Sequence, residues 1–342
     1  MIRVGVVGYG YWGPNLARAG AESGKTQVEM IADFTPANRE RAALRHPAAR
    51  IVEDWRDLVN DPAVDAVLIA TPVNSHYEIA MAALRAGKHI FVEKPMTDTI
   101  ASSARLVDEA ARRNLALMVD HTFVYTGAVG IISNLVEKGE LGDLYYYDST
   151  RVNLGLFQRD VNVIWDLAVH DFAIMDHLFG ARPAAISASG ASFVQGSPEN
   201  IAYLSIYFDD GAIGHLNVNW LAPVKIRQTF IGGSRRMVVY DDMQTSEKVK
   251  IYDRGVSRGE STPGRYEHLV SYRMGDMYAP AIPSKEALVA AMQEFARAIE
   301  TGTRPKTDGE SGLRVVEMLT AASRSLALRG QPVELHLEKM AS

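Results

Sequence analysis

Ile2-Arg3-Val4-Gly5-Val6-Val7-Gly8-Tyr9-Gly10-Tyr11-Trp12-Gly13-Pro14 stands near the start of the chain, and the fold turns on how it is read. An apolar run of strand length, Ile2–Val7, meets three glycines in the spacing G-x-G-x-x-G, and a helical pattern opens at Pro14. In that context Gly8 allows a tight turn, Gly10 lets a pyrophosphate approach the backbone, and Gly13 lets helix and strand pack closely. The helix N-terminus then faces the anion, and Tyr11 and Trp12 belong to the same cofactor loop. An acidic residue is expected about 20 residues on, at the end of the second strand. Asp33 follows Val28-Glu29-Met30-Ile31-Ala32 there. Its carboxylate suits two ribose hydroxyls and repels a 2′-phosphate, which favours NAD over NADP. No arginine follows Asp33 directly, although Arg39 is within a loop's reach.

The rest of the first third repeats this alternation. Residues 27–32, 66–70, 89–92 and 115–119 read as buried strands, and 14–23, 38–46, 76–86 and 100–113 as helices. Strand–helix alternation predicts an α/β domain over residues 1–121, a Rossmann-type doubly wound parallel sheet with right-handed crossovers. After residue 122 the rhythm changes. Residues 129–139 and 164–179 read as helices, and strands are expected at 144–153, 184–193, 201–208, 213–220, 226–231, 237–240 and 249–252. Several alternate polar and apolar positions, and Asp209-Asp210-Gly211 marks a hairpin. This predicts an α+β domain over 122–342, a mostly antiparallel, open-faced sheet with helices on one face. Residues 254–283, rich in Gly, Pro, Tyr and Arg, read as a long loop or lid. Helices at 285–300 and 310–329 and a strand at 333–337 complete the expected order.

Composition agrees with this and excludes other classes. The 342 residues suit about two domains. With 36 Lys and Arg against 41 Asp and Glu the net charge is −5, and neither half forms a basic arm. Nucleic acid and anionic membrane surfaces are therefore not expected partners. No apolar run approaches a membrane span, the first residues lack the form of a secretory signal, and the cytoplasm is the expected location. The chain has no cysteine, which excludes disulfides, thiolate nucleophiles and Cys-ligated metals.

Glu93-Lys94-Pro95 places a charged pair at the carboxyl end of a buried strand, where ligands bind in doubly wound sheets. Proline holds Lys94 extended, aiming its ammonium out of the sheet edge. On these residues alone a surface salt bridge with Glu93 is the stronger reading, with a proton-transferring lysine beside it. The glycine fingerprint, Ala70-Thr71-Pro72 closing an inner strand, Glu93-Lys94-Pro95, and a sheet-rich second half together resemble the Gfo/Idh/MocA oxidoreductase family. The resemblance implies that Lys94 contacts the reacting hydroxyl or ketone and is followed by a cis peptide. It also implies that Thr71, Pro72, Asn74 and His76 lie along the cofactor, with Glu93 near the nicotinamide ribose.

Asp166 and His170 are four residues apart on a helical pattern and share one face. An imidazole between a carboxylate and a substrate is an acid–base arrangement. The family resemblance matches an Asp-x-x-x-His pattern here and implies that His170 handles a proton, with Asp166 as its partner or as a hydrogen-bonder of the substrate. His177 continues the stripe, but as a helix-end residue favoured by the dipole, and no metal is expected. The reaction these residues suit is hydride transfer between a secondary alcohol and the nicotinamide, with Lys94 or His170 as proton acceptor. The stretches 10–15 and 225–242 resemble family members that make nucleotide-linked sugars. Arg151, Asn153, Lys225, Arg227 and Arg235 are candidate contacts for a diphosphate. The expected substrate is a nucleotide-linked sugar reacting at ring C3. A free sugar or inositol dehydrogenase and a non-catalytic NAD-binding regulator are the alternatives. The resemblance further implies a homodimer or homotetramer built through the second sheet.

Overall fold

Strand β1 (Ile2–Val7) is buried at every position except Arg3, which is half-buried, as befits the central strand of a sheet covered on both faces. The computed structural model describes residues 1–155, 161–258 and 270–335. From β1 the chain runs through α1 (Gly13–Glu22), β2 (Thr26–Ala32), α2 (Pro36–Arg45), β3 (Arg50–Val52), α3 (Trp55–Val59) and β4 (Ala66–Ile69). It continues with α4 (Val73–Arg85), β5 (His89–Glu93), α5 (Ile100–Arg113) and β6 (Leu117–Asp120). Among the described residues these six strands form one parallel sheet in the order β3-β2-β1-β4-β5-β6. The order reverses between β1 and β4, and such a switch point, at the carboxyl ends of the strands, is where open α/β sheets bind ligands. Strand β3 and helix α3 were not expected, because three and five residues are too short to show a period.

A 3₁₀ turn, Thr122–Tyr125, follows β6, and the chain enters a second compact unit. Its elements are α6 (Gly127–Glu137), β7 (Leu144–Leu154), α7 (Val169–Phe179), β8 (Ala185–Ala191), β9 (Ile201–Tyr207), β10 (Ile213–Asn219), β11 (Leu221–Gly233), β12 (Met237–Asp241), β13 (Val249–Arg258) and β14 (Val270–Tyr278). Helices α8 (Ala287–Thr301) and α9 (Gly309–Ala327) and strand β15 (Val333–Glu334) end the described chain. The linear division at residue 121 is corrected by the packing: one unit comprises Met1–Thr126 and Lys285–Thr320, the other Gly127–Ser284 and Ala321–Ser342. Helix α8 returns because its apolar face needs the first unit's core. Leu288, Met292 and Phe295 join Val4, Leu16 and Phe91 there, with the Phe91 and Phe295 rings edge-on at 5.5 Å.

In the second unit nine strands pair as β14-β13-β12-β11-β7-β10-β9-β8-β15 among the described residues, antiparallel except for β7 with β10. Alternation sets the faces. Ala202, Leu204 and Ile206 on β9 and Leu216 and Val218 on β10 are buried, while Tyr203, Tyr207 and Ile213 are exposed. The expected loop at 254–283 is in good part the hairpin β13–β14. Tyr272, Met274 and Met277 are exposed there, so the apolar alternation that would have signalled a strand is missing. Residues 259–269, and 336–337 of the expected last strand, lie outside the described residues.

Candidate active site

The glycine loop is built by contacts that only hydrogen would allow. Gly8 has φ +90°, and a Cβ there would lie 2.8 Å from the Ala70 carbonyl oxygen; one at Gly13 would collide with the Gly8 carbonyl. At Gly10 nothing lies within 4 Å of the equivalent point, so that side of the loop is open. Helix α1 starts with no acidic residue in its first turn and no side-chain cap, so an anion at the loop meets the positive end of the helix without a competing carboxylate. These features fit a dinucleotide.

Asp33 is nearly buried, and its carboxylate accepts the Tyr9 amide at 2.6 Å, the Thr35 amide at 2.8 Å and the Asn38 side-chain amide at 3.1 and 3.2 Å. It therefore ties the glycine loop to the end of β2. Arg39 donates to the Asp33 and Phe34 carbonyls and pairs with Glu53 at 3.0 Å.

At the end of β4, Thr71 accepts the Ser75 hydroxyl at 2.7 Å, and Pro72 and Asn74 are exposed at the start of α4. His76, expected along the cofactor, is instead buried beneath that edge. Its Nε2 is 2.8 Å from the Thr71 carbonyl oxygen and its Nδ1 3.1 Å from the Pro95 carbonyl oxygen, so it packs between the ends of β4 and β5 and in its neutral form donates to one of them. Burial lowers its pKa.

Lys94 is half-buried, and the Lys94–Pro95 peptide is cis. Burial, and then the carboxylate of Asp120, push the Glu93 pKa well above the usual carboxylate range, against the lowering effect of Lys94. Asp120 accepts the Trp12 indole N–H at 3.3 Å and the Thr122 hydroxyl at 2.7 Å. The next residue, His121, is buried with neither ring nitrogen hydrogen-bonded, and burial followed by the Lys94 charge pushes its pKa down to about 3. Asp120 and His121 were missed because the expected strand stopped at residue 119. The rule that singled out Glu93-Lys94, polar residues at a carboxyl strand end, would have found them.

The second unit carries the Asp–His pair. Asp166 lies in a π-helical turn, Ile164–Ala168, that leads into α7, and its Oδ2 accepts the indole N–H of the buried Trp220 at 3.0 Å. Such turns often mark functional positions. His170 is half-buried in the first turn of α7. Beside it, Asp171 is fully buried and pairs with Arg151 at 2.8 Å. The Ser149 and Tyr147 hydroxyls also donate to Asp171, at 2.8 and 3.3 Å. Arg151 therefore does not serve as a solvent-facing cation for a diphosphate. On β7 it shares the buried face with Tyr147 and Ser149, where it anchors α7. Asn153 is half-buried near the end of β7, and Arg227 pairs with Asp242 at 3.4 Å. Lys225 and Arg235 are exposed. Among the described residues no three His, Asp or Glu side chains gather as a metal-ligand set, and no helix is long and apolar enough to cross a membrane.

Comparison with known proteins agrees with both units. Over 95% of its length the chain is 26% identical to the scyllo-inositol 2-dehydrogenase (NADP(+)) IolW of Bacillus subtilis, covering 93% of that protein. It is 24% identical, over 92% of its length and 94% of the relative's, to the dTDP-3,4-didehydro-2,6-dideoxy-alpha-D-glucose 3-reductase of Saccharopolyspora spinosa. Among solved structures, UDP-N-acetylglucosamine 3-dehydrogenase GnnA from Acidithiobacillus ferrooxidans superposes with a TM-score of 0.78 at 25% identity, over 96% of this chain and 99% of that one. Residues 2–121 match the family model described as oxidoreductase family, NAD-binding Rossmann fold, and residues 131–239 match the GFO/IDH/MocA C-terminal domain. Both halves of one family's architecture follow in order along the sequence, and the chain belongs to the Gfo/Idh/MocA oxidoreductase family.

Proposed function

We propose that the protein transfers hydride between NAD and a secondary alcohol or ketone of a sugar, with a nucleotide-linked sugar reacting at ring C3 as its substrate class. The observation that carries this is Lys94 at the carboxyl end of β5, on the sheet edge that also bears the open glycine loop. Bound NAD supplies the hydride acceptor. Gly8, Gly10 and Gly13 at the positive end of α1 would hold its pyrophosphate, Asp33 would face its adenosine ribose in exchange for the Asn38 amide, and Thr71 and Asn74 would border the path toward Lys94. The Asp33 carboxylate disfavours a 2′-phosphate, hence NAD over NADP. The hydroxyl proton passes either to Lys94 Nζ in its neutral amine form, or to the neutral His170 imidazole while the Lys94 ammonium stabilises the developing alkoxide. Asp166, held by Trp220, orients the sugar or the imidazole.

Two relatives that act at position 3 of nucleotide-linked sugars support the substrate class. The similarity to IolW favours a second reading, a free sugar or inositol dehydrogenase. Incubating the purified protein with NAD and panels of UDP- and dTDP-sugars, and separately with free polyols, while following reduced cofactor, separates the two. Reduction with nucleotide-linked sugars is expected. Reduction with free polyols alone would overturn the substrate class, and binding of NAD with a bystander lysine would appear as no dependence on Lys94. We also propose that the exposed face of the second sheet pairs with another copy of this chain.

A further inference from the structure

Arg41 on α2 is exposed, yet its guanidinium is fastened to the glycine loop. Nη2 donates to the Tyr9 carbonyl, to the Gly10 carbonyl at 2.9 Å and to Asn38 Oδ1 at 3.2 Å. Its Cζ lies 5.5 Å from the centre of the Tyr9 ring, so the cation also rests on an aromatic face. Asn38 in turn donates to Asp33, which accepts the Tyr9 amide at 2.6 Å. Tyr9 is thus held by both of its backbone groups, the N–H by Asp33 and the C=O by Arg41.

In a trans peptide the C=O and the N–H that follows it point in opposite directions. Among the described residues the one cis peptide is Lys94–Pro95, so carbonyls of Tyr9 and Gly10 turned toward Arg41 leave the Gly10 and Tyr11 amides facing away from it. Among the described residues those two amides, and that of Trp12, have no hydrogen-bond partner. Successive amides of this kind make a concavity suited to an anion, and nothing lies within 4 Å of where a Cβ of Gly10 would stand. We propose that Arg41 is a positioning residue for the dinucleotide: by holding the Tyr9 and Gly10 carbonyls on one side of the glycine loop, it turns the Gly10 and Tyr11 amides to the pyrophosphate on the other. Without it the two peptides rotate freely, and binding the anion then includes the entropy of ordering them. This rests on NAD as the cofactor, not on the sugar or on Lys94.

Calorimetry of NAD and of ADP-ribose, which share the pyrophosphate, tests this on the wild type and on Arg41→Met, which keeps an apolar stem over Tyr9 and removes the donors. Both affinities are expected to fall about tenfold. Unchanged affinities, or a loss confined to NAD, would overturn the proposal. The ratio between wild type and variant is expected to persist in about 1 M salt, where charges more than about 3 Å apart are screened; a loss that vanishes there would show a surface charge acting at a distance and would overturn it. Where a sugar is turned over, the KM for NAD should rise while kcat stays within about twofold, whereas a fall in kcat with NAD affinity kept would contradict a role at the pyrophosphate. A protein that binds NAD but turns over no sugar would lose the proposed reaction, and the calorimetry would still decide the role of Arg41.

Discussion

His121 shows how much of this site depends on a side chain's surroundings rather than its type. In water its imidazole would titrate near 6.5, but burial and Lys94 hold the folded value to about 3. The stability that neutral His121 contributes is therefore complete above the unfolded pKa and is lost as pH falls from about 6.5 toward 3, on the order of a few kcal/mol in all. Thermal unfolding of His121→Phe should lose less stability than the wild type across that window. Parallel pH curves would show that the buried imidazole is not the cause. Glu93, Lys94 and the glycines were legible in the sequence because each sits at a position that chain order defines. Arg151 was misread for the opposite reason. Only the phase of β7, which turns Tyr147, Ser149 and Arg151 to one buried face, reveals that the arginine meets Asp171.

At the scale of elements, short apolar runs made β1, β2, β4, β5 and β6 readable, and the helical period made α1, α4 and α5 so. Elements with little apolar contrast, β3, α3 and β14, were not. The π-helical turn before α7 was equally invisible, since Ile164–Ala168 has the same apolar spacing as the α-helix it was taken to begin. What fixes that helix is the buried Arg151–Asp171 pair, one residue from His170. Removing one partner of such a pair leaves a buried charge without its counterpart, at a cost of about 3–5 kcal/mol. Asp171→Asn should lower the denaturation midpoint accordingly, measured by chemical unfolding, whereas a change below about 1 kcal/mol would show that α7 is anchored elsewhere.

Across the whole molecule, the return of α8 to the first unit could not be read from order along the chain, because packing, not sequence proximity, places Phe295 against Phe91. The open sheet face was readable from alternation, and it exposes Tyr203, Tyr207, Ile213, Ile226 and Phe230. Exposed apolar side chains on one sheet face support the proposal that this face pairs with another copy of the chain. Light scattering of the wild type should give a multiple of 37.5 kDa, and Phe230→Glu should shift the mass downward. A monomeric wild type would contradict that use of the sheet. The central claim is that the chain binds NAD on one edge of its parallel sheet and transfers hydride under the control of Lys94. Its most direct test compares Lys94→Ala with the wild type, measuring NAD affinity by calorimetry and turnover on the reactive sugar. NAD affinity is expected to stay within about threefold and turnover to fall by about 10²–10⁴-fold, the usual contribution of a positioned proton-transfer group. Turnover retained with Lys94 absent would contradict it.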